Sequence, residues 1–330
     1  MSAPIDLPVG DSNHVLGETA VGAIEGRSLG QIAWRRLRKD KVALAGAAFL
    51  IFLVIVAISA PLLVKWFGYP PNEFHQDPEL LDSTLGNIPR GTFGGISGDH
   101  LMGLEPVNGR DIFSRIVYGG RISLLIALFA TLLSVTLGTT LGVMAGYFGG
   151  WVDTVISRIM DMFLAFPLLV FAIAIGGVLP DRAFGLSGTA LDVAVLVFII
   201  GFFNWPYIGR IIRGQTLSLR EREFVDAARS LGARRGYILR TELLPNLVGP
   251  ILVYATLLIP TNILFEAALS FLGVGVDAPT ATWGGMLDQA VDYYTLPYFM
   301  FWPGMAIFLT VLAFNLFGDG LRDAIDPKSR

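Results

Sequence analysis

The sequence predicts an all-α membrane protein with six transmembrane helices. Only 15% of its 330 residues are charged, against about a quarter in soluble domains. Its mean hydropathy is +0.62, more apolar surface than a water-soluble core needs. The apolar residues also gather into six runs, with the charges collected in the connections between them.

Residues 1–41 are expected to form a polar N-terminal tail, because they lack the short apolar stretch and small-residue cleavage site of a secretory signal. The first span is Val42–Val64, which carries no charge. Residues 65–121 hold Pro70, Pro71, Pro78, Pro89, Gly91, Gly94 and Gly95 and read as an irregular external loop. A five-helix core is expected over 122–322. Its spans are Ile122–Gly146, Met162–Pro180, Val193–Gly209, Leu243–Val276 and Tyr293–Gly318, and residues 323–330 form a C-terminal tail. A bilayer core takes about 20 residues of helix, so Val193–Gly209 must borrow from its flanks. Backbone groups in lipid have to be satisfied within the segment, and barrel strands would alternate and be half as long, so these runs are helices. The 38 glycines suit helices that pack closely or bend. Pro167, Pro206, Pro250, Pro260 and Pro303 lie in the apolar runs, where proline removes a backbone donor and bends the helix. Gating and static bends both account for them. No internal repeat is visible.

Arginine and lysine set the orientation. Arg35, Arg36, Arg38, Lys39 and Lys41 precede the first span, eight arginines lie in residues 210–242, and Arg322, Lys328 and Arg330 follow the last span. On the other side, the connection before the sixth span has Asp277, Asp288 and Asp292 but no base. Both termini are therefore expected in the cytoplasm.

Composition also excludes classes. The chain has no cysteine, hence no disulfide, thiolate metal site or cysteine nucleophile. A net charge of −3 does not suit nucleic acid. His14, His75 and His100 have no second ligand at helical spacing, so no metal site and no Ser/His/Asp arrangement is expected. The only lysines are Lys39, Lys41, Lys65 and Lys328. None ends a G-x-x-x-x-G-K-[ST] loop, so this chain is not expected to hold nucleotide.

The segment between spans four and five is basic and helical in pattern. Phe224, Ala228 and Leu231 share a face at helical spacing, and Gly232 breaks the pattern as a left-handed C-cap does. A second short helix is expected to reach Leu244, with Pro245 stopping it and opening the next span. Ala227 and Ala228 let another surface approach. On the pattern alone, an ordinary amphipathic helix at the membrane surface explains these residues as well as a docking element does.

The spacing from Asp226-Ala227-Ala228 to Gly232 and on to Leu244-Pro245 resembles the EAA loop of binding-protein-dependent ABC importer permeases. Asp226 replaces that family's glutamate, and Glu242 stands where an apolar residue is usual. Over residues 30–330 the chain further resembles the DppC/OppC group of peptide permeases. The matching stretches are Trp34 to Lys41, Gly109 to Leu124, Ala145 to Asp153, Leu164 to Pro167, Glu266 to Val276, Trp283-Gly284 and Asn315 to Pro327. Gly103 to Gly109 holds five intervening residues where the group has four, and residues 1–29 find no match.

The resemblance implies the type I ABC importer permease fold in a bacterial cytoplasmic membrane, surrounded by lipid. It implies that the cytoplasmic coupling segment is 210–242 and that its EAA loop, with Phe224, Asp226, Ala227, Ala228, Leu231, Gly232, Leu244 and Pro245, is the coupling helix that docks in a cleft of an ATPase subunit. The implied partners are a second permease of the DppB/OppB kind, two P-loop ATPase subunits or domains and an extracytoplasmic substrate-binding protein. ATP and Mg would be bound on those ATPases, with no cofactor on this chain. The implied cargo is a short peptide, although relatives in the group carry nickel complexes, haem or other small solutes. Asp161, Asn204, Asn262, Glu266 and Asn315 are polar groups in or beside spans, open to either pathway lining or helix packing. Arg158 is placed to pair with Asp161 one turn away. An ion-gradient-driven secondary transporter is the rival reading, for which Glu266 is the lone candidate carboxylate. A membrane subunit that moves nothing is another, and it would need no coupling loop.

Overall fold

The computed structural model describes residues 29–176, 178, 182–183 and 185–325. Residues 1–28 and 326–330 of the expected tails, and Pro180 at the end of the expected third span, lie outside them. Helix α1 (Leu29–Leu37) packs along the end of the last helix. Asp40 then caps α2 (Lys41–Ile58), its Oδ1 accepting from the backbone N–H of Val42 at 2.9 Å and of Ala43 at 3.1 Å. This side chain satisfies donors that the first helical turn leaves orphaned. The expected first span, 42–64, is two helices rather than one. α2 ends at Ser59, whose Oγ donates to Ile55 O at 2.6 Å, and α3 (Ala60–Phe67) follows, opened by Pro61. Along α2 only Ala43 and Gly46 are buried, so most of its apolar surface faces outward from the chain.

Residues 68–111 are mostly irregular, as the Pro/Gly content suggests, with a two-stranded antiparallel ribbon of β1 (Leu81–Asp82) and β2 (Ile88–Pro89). The segment ends sooner than hydropathy indicates. Asp111 accepts from Ser114 N at 2.8 Å and starts α4 (Ile112–Phe148) ten residues before the expected boundary. The head of α4 is polar and anchors the loop. Arg115 is buried with its Nε 3.1 Å from Glu105 Oε2, and Arg110 pairs with the other oxygen of Glu105. At 37 residues, α4 is roughly 55 Å long, longer than the bilayer core.

The expected third span is broken. α5 (Gly150–Ala165) and α6 (Leu168–Gly176) meet at an angle of 76°. Pro167 offers no N–H to bond back, and Phe166 is extended there, so the helix stops and restarts. A short ribbon of β3 (Arg182–Ala183) and β4 (Leu186–Ser187) leads into α7 (Thr189–Arg220), which extends the expected fourth span at both ends.

Helices α4 and α7 form the central seam. Gly138, Gly142 and Gly146 recur every fourth residue on α4. A Cβ at Gly142 would lie 2.6 Å from Gly209 O, and one at Gly138 2.7 Å from Trp205 O. Where two helices lack side chains their backbones touch, and dispersion replaces the hydrophobic drive that lipid cannot supply. Ser134 Oγ donates across the seam to Gly201 O at 2.8 Å.

After α7 come α8 (Glu223–Ser230) and α9 (Arg235–Tyr237), then a π-helical turn, Ile238–Leu243, that runs into α10 (Leu244–Phe271). The expected stop at Pro245 does not occur. A proline in the first turn of a helix needs no donor, and Arg235–Phe271 is one continuous membrane-length helix. α11 (Trp283–Val291) lies over the head of α4, where a Cβ on Gly120 would meet the Trp283 ring at 2.8 Å. α12 (Pro297–Ile325) completes the bundle. Among the described residues five helices are long and apolar enough to cross a membrane, and the bent pair α5–α6 meets the same criterion when its two helices are counted as one span.

Candidate coupling surface

Only Glu221 and Arg222 separate the end of α7 from α8. α8 is held by Val225, which is completely buried in a cluster with Tyr147 of α4 and with Ile238 and Leu243 of the π turn. Ala228 is half-buried against the same cluster. Phe224, Asp226 and Ala227 are exposed, and Leu231 at the C-cap is 88% exposed. The sequence-derived face of Phe224, Ala228 and Leu231 is therefore divided. Ala228 leans onto the anchor, Leu231 points away from the chain, and Phe224 is 37% exposed. Leu244 and Pro245 are exposed at the start of α10, beyond the glycine corner.

Gly232 closes the helix with φ +77°. Its N–H donates to Arg229 O at 2.9 Å, and the N–H of Ala233 donates to Ala228 O at 3.0 Å, the paired bonds of a Schellman cap. A Cβ on Gly232 would meet nothing within 4 Å, so glycine is required there by backbone conformation and not by space. Arg229 pairs with Asp226 one turn away at 3.1 Å, an exposed pair of small energetic weight. Arg220 at the end of α7 donates to Gly146 O, the last turn of α4, at 3.0 Å.

The polar residues of the spans separate by location. Asn262 is completely buried, accepting from Asn204 Nδ2 at 2.8 Å and donating to Thr131 Oγ1 at 2.8 Å. It thus ties α10 to α7 and to α4. Glu266 is also completely buried, one turn beyond Asn262. Ser270 Oγ donates to it at 3.0 Å, and the hydroxyls of Ser123 and Thr282 stand beside it. Asn315 is exposed on α12. Asp161 is exposed and its close partner is Arg210 of α7 at 2.7 Å, with Arg158 looser at 3.8 Å. Sequence reasoning missed Val225, the apolar residue that fixes α8, and the pairing of Asp153 with Arg213. No three His, Asp or Glu side chains converge into a metal site among the described residues.

Residues 138–330 match the family model for the binding-protein-dependent transport system inner membrane component, and residues 28–86 match the N-terminal TM domain of oligopeptide transport permease C. The chain belongs to this family of transport permeases. The dipeptide transport system permease protein DppC of Alkalihalophilus pseudofirmus is 41% identical, with 90% of each chain covered. The glutathione transport system permease protein GsiD of Shigella flexneri is 43% identical, with 89% of each covered. A solved chain of the MetNI methionine ABC transporter, in an inward-facing conformation, superimposes with a TM-score of 0.52 at 18% identity, over 65% of this chain and 98% of that one. At that identity the likeness is one of fold, the type I permease fold.

The permease is thus a multi-pass protein of the bacterial inner membrane and a subunit of an ABC importer, not an ion-gradient-driven transporter. Permeases of this kind are not themselves enzymes.

Proposed function

We propose that this permease forms half of a translocation pathway for short peptides, and that α8 is the coupling helix that docks on an ATPase. The observation that carries the reading is the pairing of two exposed apolar side chains, Phe224 and Leu231, with a glycine-capped corner on a helix anchored by Val225. Such side chains gain most from a partner's cleft. The basic residues around α1, α8 and the end of α12 support an orientation with this end and both termini in the cytoplasm. The other half of the pathway is a second permease of the DppB/OppB kind. Two P-loop ATPase subunits or domains bind ATP and Mg, and an extracytoplasmic binding protein delivers cargo to the opposite end. Closure of the ATPases moves α8 and switches the spans between two states.

The names of the relatives, dipeptide and glutathione permeases, support a peptide cargo of two or three residues. The test is uptake into proteoliposomes holding the assembled transporter and its binding protein. Dialanine or glutathione should accumulate only with ATP enclosed in the lumen, on the ATPase side, and binding protein outside, and a proton uncoupler should leave uptake unchanged. Uptake without ATP that collapses with the uncoupler would refute the proposal.

A further inference from the structure

We propose that Asp153 and Arg213, backed by Asp161 and Arg210, are the positioning pairs that make α5 follow α7, so that movement of α8 reaches the break at Phe166–Pro167. The inference rests on the reading of α8 as the coupling helix.

Arg213 meets Asp153 through two nitrogens, with Nη2 2.7 Å from Oδ2 and Nε on the other oxygen. The side chains are only 31% and 20% exposed. A two-point, charge-assisted contact that is partly shielded from water holds direction as well as distance. Arg210, one turn back on α7, reaches Asp161, two turns further along α5. The half-buried Asp153–Arg213 pair carries the contact, and the exposed Arg210–Asp161 pair adds a smaller contribution to it. This fixes the rotation of α5 on α7 and its register along it.

The rest of the contact has the same design. Met160 Cε seats on the bare backbone of Gly209. Beyond it, Phe203 of α7 is ringed by Phe163 at 5.3 Å, Phe166 at 6.4 Å and Phe171 at 4.4 Å, residues from both sides of the break. α5 follows α4 through a tight turn at Gly149 and Gly150, φ +65° and +55°. α5 is therefore packed on both helices, with Ile156 and Met160 also meeting Ala145, Leu137 and Leu141 of α4, while its ion pairs run only to α7, the helix that leads into α8. A displacement of α7 carries α5 with it and is delivered at Pro167.

The chain has no cysteine, so labels can be placed one at a time. Spin labels at Val170 on α6 and Leu312 on α12 report the break in the assembled transporter in nanodiscs, with and without ATP plus vanadate. In the parent, trapping nucleotide should shift the distance. In Asp153→Asn and Asp153→Arg the shifted population should fall roughly tenfold, while bound ATPase and its basal hydrolysis stay as in the parent. Asp153→Arg combined with Arg213→Asp should restore the shift. A parent-like shift in Asp153→Asn, a reversed pair that does not restore it, or a parent with no shift would overturn the proposal. Loss of the ATPase from Asp153→Asn would overturn it too, since that is a structural defect. A parent that never holds an ATPase refutes the coupling reading instead.

Discussion

The N–H of Ala233 donates to the carbonyl of Ala228 at 3.0 Å, reaching back around Gly232. This bond turns the chain from α8 into α10 and sets the angle at which Phe224 and Leu231 face outward. Because the space around Gly232 is open, Gly232→Ala should cost only the left-handed backbone penalty, about 1 kcal/mol. Gly232→Val adds β-branching and should open the corner. The expected outcome is a chain present in the membrane at parent level with uptake reduced about tenfold in the valine variant and less in the alanine variant. Uptake assays on matched membrane fractions measure it, and normal uptake in Gly232→Val would remove the corner from the coupling path.

The α4–α7 seam predicts opposite results at two glycines. Gly142→Val would force a side chain into Gly209 O and the Ile212 side chain. It should destabilise the chain by about 1–3 kcal/mol, seen as a weaker folded band in detergent. Gly214 lies exposed on α7 with nothing within 4 Å. Gly214→Ala should raise stability by up to about 1 kcal/mol through helix propensity.

The Asn204–Asn262–Thr131 chain predicts a modest loss. Asn262→Ala removes the partner of the half-buried Asn204 amide and one of the two bonds of the buried Thr131 hydroxyl, which still donates to Ala127 O, and should cost about 1–2 kcal/mol. The thermal unfolding midpoint of the purified permease should fall accordingly. Asn315→Ala, at an exposed site, should not move it.

Glu266 is enclosed by this single chain, so a packing role predicts that shape and hydrogen bonding matter more than charge. Glu266→Gln should keep uptake within about twofold, because the amide oxygen still accepts from Ser270. Glu266→Ala should lower stability by about 2 kcal/mol or more through a cavity and orphaned hydroxyls. A Glu266→Gln chain that folds but does not transport would assign the carboxylate to the pathway.

The fold was legible where hydropathy was the deciding force and illegible where polar chemistry extended or cut a helix. Asp111 starts α4 ten residues early because a cap and a buried ion-pair cluster carry the helix beyond its apolar run. Pro167 cuts the third span although the residues on both sides are apolar. Pro245 ends nothing, since a first-turn proline suits a helix. In the site, Gly232 and the exposed Leu231 could be read from spacing. Val225 could not, because its burial depends on Tyr147, Ile238 and Leu243 from distant segments. Local charge pairing found Arg158 for Asp161, which is present at 3.8 Å, but the closer partner of Asp161 and the partner of Asp153 lie 49 and 60 residues away.

The most direct test of the central claim is the ATPase content of the transporter purified through this chain in mild detergent, compared between the parent and a Phe224→Glu, Leu231→Glu double variant. Both positions are exposed, so the variant should fold and retain the second permease. The account predicts that the parent brings down P-loop ATPases and that the variant loses them about tenfold or more. ATPases retained at parent level by the variant would contradict the assignment of α8 as the docking helix.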